Sequence, residues 1–261
     1  MKKYIFIVFV LLVAGSGGVF ATHSWGPYHW ARTANPFTIK LGDNVSTAWD
    51  AYFKEAAADW SKSSILDMSI VSGSAGNPRN CRAKNGRIEV CNAKYGNNGW
   101  LGIAQIWVSG EHITQGTIKL NDTYFTKPAY NVPAWKRLVM CQEVGHPLGL
   151  DHQDENFSNP NLGTCMDYTN NPAGPLSNEH PDQHDYEMLE TIYAHPDTTN
   201  TLGSAVAQFA QTLRERISDD DLDETPAWGK IVRRGASGRP SLYVRDLAHG
   251  HTVFTFVTWA E

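Results

Sequence analysis

Charge is scarce in this chain. Asp, Glu, Lys and Arg make up 19% of its 261 residues, below the quarter or so usual for soluble domains. It has no basic run, no internal repeat and no low-complexity tract. Those absences argue against a coiled coil, a disordered tail and a nucleic-acid binder. The net charge is −5, and it becomes −7 without Lys2 and Lys3. Past residue 21 no apolar stretch approaches the roughly 20 residues that span a bilayer. Cysteine is sparse but even in number: Cys81, Cys91, Cys141 and Cys165. In an exported chain two disulfides are the default, with three connectivities open.

Export is expected from the first 21 residues. Lys2 and Lys3 precede the apolar run Tyr4 to Ala14, and Val19-Phe20-Ala21 has the small-x-Ala form of a cleavage site. The run is too short to span a membrane and reads as a signal peptide. The mature product is then secreted, extracellular or periplasmic, with no membrane contact after the signal is removed. It is long enough for one good core and a small appendage.

Apolar spacing outlines the elements. Phe37, Ile39 and Leu41 alternate as in a strand, and Leu66, Met68 and Ile70 do the same. Between them Val45, Trp49, Phe53, Ala56 and Trp60 recur at helical spacing, which predicts a helix over 46–60. Residues 87–91, 103–108 and 117–120 read as strands, the last two joined by a turn at Ser109-Gly110. Pro133 opens a helix that Gly149 ends, and His180-Pro181 precedes another. Residues 196–203 read as a linker. Val206, Phe209, Leu213 and Ile217 make an amphipathic helix, and strands follow over 229–233, 241–246 and 252–259. The expected class is α+β. The expected organisation is a signal peptide (1–21), a body (22–195), a linker (196–203) and a small C-terminal α/β appendage (204–261).

Chemistry concentrates in residues 142–152, Gln-Glu-Val-Gly-His-Pro-Leu-Gly-Leu-Asp-His. Positions 142 and 146 lie one helical turn apart on one face. Glu143 adjoins that face. Gly149 lets the chain leave the helix sharply, so that His152 returns toward His146. A metal held by Gln142, His146 and His152 keeps an open position beside a carboxylate, an arrangement suited to hydrolysing a carbonyl compound.

This segment resembles the zinc-binding motif of the metzincin metalloproteases, H-E-x-x-H-x-x-G-x-x-H, with Gln142 in place of the first His. Fourteen residues past His152, Met166-Asp167-Tyr168 resembles the family's Met-turn in its Met-x-Tyr form, as in astacins and serralysins. Residues 102–105 and 117–121 resemble a matrixin edge strand and its neighbour, and residues 184–193 the closing C-terminal helix. The resemblance covers residues 28–195. It implies a twisted mixed sheet with an antiparallel edge strand, an active-site helix, a Met-turn and that closing helix. It also implies zinc on His146, His152 and Gln142, Glu143 as general base and Met166 as the turn methionine. Tyr168 becomes an auxiliary ligand or transition-state donor. The expected disulfides are Cys81–Cys91, closing a hairpin around Asn85-Gly86, and Cys141–Cys165, tying the helix to the Met-turn.

Two functions follow. One is a secreted, monomeric zinc endopeptidase that takes an extended peptide or protein along residues 103–108 by β-augmentation. The other is a catalytically impaired binding module, favoured by Gln142, because an amide oxygen is a weaker zinc ligand than imidazole. Pro147 lacks the N–H that an interior helix position needs, so a bent helix end is expected. His180 and His184, four apart, read as capping or surface residues rather than a second metal site. Asp151, Asp154 and Glu155 form an acidic loop, with calcium as the alternative to plain solvation. Trp25 and Trp30 are either core or a ligand platform.

Overall fold

The structure, a computed structural model, describes residues 23–203, 225–247 and 250–261. The signal peptide and the amphipathic helix expected over 206–217 lie outside the described residues. Strand β1 (His29–Trp30) is a short pair of residues, and β2 (Phe37–Asn44) follows. In β2, Phe37, Ile39 and Leu41 point inward while Thr38 and Lys40 are exposed, the period-two pattern of a strand with one covered face. Helix α1 (Asp50–Trp60) buries Phe53, Ala56, Ala57 and Trp60. It starts later than residue 46 because Ser46 is held elsewhere: its backbone N–H donates to Asn92 Oδ1 at 2.6 Å.

Strands β3 (Leu66–Ser72), β4 (Ile88–Ala93), β5 (Trp100–Ser109) and β6 (His112–Asn121) complete the first half of the sheet. β2 pairs in parallel with β3 and β4, β4 in parallel with β6, and β5 antiparallel to β6. β1 adds a parallel pair at the start of β6, His29 beside His112. A short helix α2 (Asp122–Phe125) leads to α3 (Pro133–Gly145), which packs with α1 over the sheet, and α4 (Gln183–Ile192) closes this half. Asp182 and Asp185 form a reciprocal capping box at the start of α4. The class is α+β, as expected.

The C-terminal strands are β7 (Lys230–Arg234), β8 (Pro240–Asp246) and β9 (His251–Trp259). They do not form the separate appendage expected from the sequence. β9 lies antiparallel along β5, from Trp100 opposite Trp259 to Ser109 opposite His251. One sheet therefore runs β3-β2-β4-β6-β5-β9-β8-β7. An open edge on β5 would leave a row of unpaired backbone groups, and β9 satisfies them. Both faces of β9 are covered. Phe254 and Phe256 join the main core with Ala104 and Ile106, while Val257 and Trp259 join a second cluster with Trp100, Ile103, Trp228 and Tyr243. Residues 196–203 are not a free linker either. Asp197 N–H donates to the Arg32 carbonyl at 2.8 Å, Thr201 N–H to Ala31 at 3.0 Å and Gly203 N–H to Gly86 at 3.1 Å.

The sulfurs pair as Cys81–Cys91 and Cys141–Cys165. The first does not close a hairpin, since Cys91 belongs to β4, whose sheet partners are the parallel strands β2 and β6. It pins the preceding loop to the back of β4 instead. The second joins α3 to the segment that carries Met166.

Candidate active site

Helix α3 opens with Pro133 at its first turn and buries every residue from Leu138 to Gly145. It then tightens into a 3-10 turn over His146–Leu148. Pro147 sits in that turn, so its missing N–H falls where the α-helical ladder is already ending. Gly149 follows at φ 100°, a left-handed conformation that only glycine adopts without strain. A Cβ there would also stand 2.9 Å from the Tyr28 carbonyl oxygen.

The last carbonyls of a helix need outside donors. Here Trp25 Nε1–H donates to the His146 carbonyl at 2.9 Å and Trp30 Nε1–H to Pro147 at 2.8 Å. The Tyr193 hydroxyl donates to Leu148 at 3.0 Å. Trp25 and Trp30 are thus core residues that anchor the end of α3.

The turn brings His152 back against His146, ring centroids 4.6 Å apart. Each imidazole is fixed through its far nitrogen. His146 Nδ1–H donates to the Leu150 carbonyl at 3.0 Å, and His152 Nδ1–H to Glu155 Oε1 at 2.8 Å. Both Nε2 atoms are then bare, and neither has a hydrogen-bond partner. Burial and the neighbouring His152 hold His146 well below the ordinary imidazole range, so it keeps a free lone pair. Gln142 is oriented the same way. Its Nε2–H donates to the Cys165 carbonyl at 2.9 Å, which turns Oε1 toward the Thr258 hydroxyl at 2.6 Å.

Glu143 is fully buried, and neither carboxylate oxygen has a hydrogen-bond partner. Burial pushes its carboxyl up to about 8, and the Thr258 hydroxyl acts in the opposite sense. Gly102 of β5 makes room for it, as a Cβ there would come within 2.5 Å of Glu143 Oε1. Met166 lies beneath the helix against Gly145, where a Cβ would meet its sulfur at 2.6 Å. Tyr168 packs on His152 at 4.4 Å and on Phe157 at 4.7 Å. Burial raises the Tyr168 phenol well above its ordinary value, so it stays a hydroxyl donor.

Burying a polar atom without a partner costs about 1–3 kcal/mol. His146 Nε2, His152 Nε2 and both Glu143 oxygens carry that cost on one short stretch of chain. Two neighbouring imidazoles whose bare nitrogens are locked by outer hydrogen bonds, with an amide one helical turn before the first, are donors of the zinc type. The residues present fit that ion, with Gln142 as the weakest donor.

The sequence reading missed what covers these groups. Phe256 of β9 stacks on His146 at 4.1 Å with 14° between the ring planes. The Tyr168 hydroxyl donates to the Val257 carbonyl at 3.1 Å. From β7, Arg233 forms an ion pair with Asp151 and lies 3.3 Å from Glu155 Oε1. The edge of β5 expected to receive a peptide is therefore already paired with the chain's own β9. One signal was legible: residues 253–257 are apolar on both alternating faces, which marks a strand covered on both sides.

The remaining candidates lie apart. His180 Nδ1 is 2.6 Å from Asp59 Oδ2, and His184 packs on His23 at 4.7 Å. The two therefore serve different partners. Asp154 accepts from the Asn156 backbone and the Asn159 side chain. Arg233 neutralises Asp151 and Glu155, which argues against calcium in the acidic loop. Burial alone would raise Glu155, but its contacts with His152, Arg233 and Ser241 outweigh this and hold it below the usual carboxylate range.

No family model and no curated protein matches the chain. Among solved structures it is similar to high choriolytic enzyme 1, a hatching-enzyme zinc-protease from the medaka fish Oryzias latipes. The identity is 11%, the match covers 64% of this chain and 94% of that one, and the TM-score is 0.34. A likeness so distant carries no argument about chemistry, which rests on the residues themselves.

Proposed function

We propose that this chain is a secreted zinc-dependent endopeptidase held latent by its own C-terminal strand. The observation that carries the reading is the set of unpaired buried atoms, His146 Nε2, His152 Nε2 and the two oxygens of Glu143. Zinc, when bound, supplies the Lewis acidity that amide hydrolysis needs at neutral pH. His146, His152 and Gln142 are the residues that would hold it. Glu143, next to the proposed ligand Gln142 in the chain, is the carboxylate suited, once β9 has left and the group is ionised, to take a proton from the attacking water and return it to the leaving nitrogen. The Tyr168 hydroxyl is suited to donate to the carbonyl oxygen of the bond being cleaved.

Latency is supported by the way β9 lies across this machinery. An extended peptide recognised by β5 would run where β9 runs, and it would present a carbonyl to Tyr168 as Val257 does. The Thr258 hydroxyl meanwhile occupies Gln142 Oε1. In this arrangement Gln142, Glu143 and His146 are shut off from solvent, so turnover requires β9 to leave.

The second reading, a binding module without turnover, is favoured by the weak ligand at Gln142. Zinc content and chelator-sensitive peptide cleavage separate the two. Glu143→Ala should retain zinc and lose at least a hundredfold in cleavage, whereas His146→Ala should lose both. Wild-type turnover in Glu143→Ala would exclude the proposed base. No cleavage under any condition that releases β9 would favour the binding module.

A further inference from the structure

A second cluster of metal-type ligands stands away from the cleft, around Asp197. His29 Nε2 and His112 Nε2 each lie 3.3 Å from Asp197 Oδ1, and His195 Nε2 lies 3.8 Å from it. The donor atoms of His29, His195 and Asp197 all fall within 4.8 Å of one another. The imidazoles of His112 and His195 pack on that of His29, with centroids 5.1 and 5.0 Å away.

The protonation geometry makes this more than a group of polar residues. His29 Nδ1 faces the Pro27 carbonyl at 2.7 Å. A carbonyl only accepts, so Nδ1 carries the hydrogen, and in the neutral ring Nε2 is a bare lone pair. That lone pair points at a carboxylate oxygen. Two acceptors facing each other repel unless a cation lies between them or the ring takes a second proton. The other carboxylate oxygen is already committed, since Asp197 Oδ2 accepts from the Arg32 backbone at 3.1 Å and from its guanidinium at 2.9 Å. Oδ1 is left to the three imidazoles. One histidinium would be enough to pair with it, and three convergent rings exceed that need.

Metal-bound histidines usually give their second nitrogen to a carbonyl or carboxylate, as His29 does. Zinc bonds of about 2.0–2.2 Å in a tetrahedron place neighbouring ligand atoms roughly 3.3–3.5 Å apart. His29 Nε2, at 3.3 Å from Asp197 Oδ1, is at that edge, and His195 Nε2, at 3.8 Å, is slightly beyond it. The side chains of His29 and Asp197 are 4% and 9% exposed, whereas those of His112 and His195 are 35% and 61% exposed. The site thus has a rigid floor and a side open to an entering ion.

We propose that His29, His195 and Asp197, whose donor atoms all lie within 4.8 Å of one another, form a zinc site distinct from the helix end. It would tie β1 to the segment after α4. A bound ion would hold these two distant stretches of chain to each other. His29 and Asp197 sit near Trp30 and Tyr193, which anchor the end of α3. The ion would therefore steady that helix end from behind.

The test uses the full mature chain, stripped with a chelator and titrated with Zn²⁺, and with Co²⁺ as a spectroscopic probe. Two equivalents should bind. His195→Ala, exposed enough to fold normally, should lose one equivalent and the Co²⁺ absorption that goes with it. The double variant His146→Ala with His152→Ala should keep one equivalent, bound at the proposed site even if the cleft reading is wrong. Unchanged stoichiometry in His195→Ala would overturn the proposal, and so would loss of all zinc in the His146→Ala, His152→Ala double variant.

Discussion

Gln142 is the residue on which the proposed chemistry turns. Its amide is held by the Cys165 carbonyl at one end and the Thr258 hydroxyl at the other. A histidine there can inherit the first bond through Nδ1–H and offer Nε2 to the metal, the outer-shell arrangement already used by His146 and His152. Imidazole is also the better zinc donor. Gln142→His should therefore tighten zinc in the cleft by about tenfold or more, an effect of at least roughly 1.4 kcal/mol. Competition against a chromophoric chelator measures it. An unchanged affinity would mean that position 142 does not contribute a ligand.

At the scale of elements, the end of α3 and strand β9 define the site between them. The helix end was legible in sequence because its determinants are local: Pro133 to start, a six-residue interval between the histidines, and Gly149 to turn. β9 was legible as a strand but not as the neighbour of β5, since strand pairing is set by which edge is open rather than by local pattern. Phe256 is its buried contact with His146. Removing a buried aromatic side chain costs about 3–5 kcal/mol, and here the loss falls on the contact with His146. Phe256→Ala should lower the urea midpoint of the whole chain. It should also raise cleavage of a long peptide severalfold above wild type. Lower stability with no gain in cleavage would show that β9 is a permanent part of the sheet and not a removable cover.

At the scale of the whole molecule, the chain after Trp228 is part of one sheet. Its second apolar cluster is shared between β5, β8 and β9 and contains Trp100, Trp228 and Trp259. A specific cleavage site inserted between Gly203 and Thr225 should therefore leave both pieces together on gel filtration, separating only in denaturant. Free elution of the smaller piece would restore the separable appendage that composition alone suggested. The same shared cluster predicts that deleting residues 225–261 outright exposes apolar surface along β5 and lowers solubility.

By itself the sequence determined the strands over 37–41, 66–70 and 103–108 and the helix that bears Gln142, Glu143 and His146. It also determined the glycine that returns His152 and the place of Met166 and Tyr168 beyond it. These depend on periodicity, turn residues and short spacings, which act over one or two turns of chain. Only the tertiary structure decided that β9 covers the cleft, that Thr258 meets Gln142 across 116 residues, and that His29, His112, His195 and Asp197 converge. Such contacts join distant stretches of the chain. They are fixed by the burial of both strand faces and the pairing of an open edge, and no local pattern encodes which partner arrives.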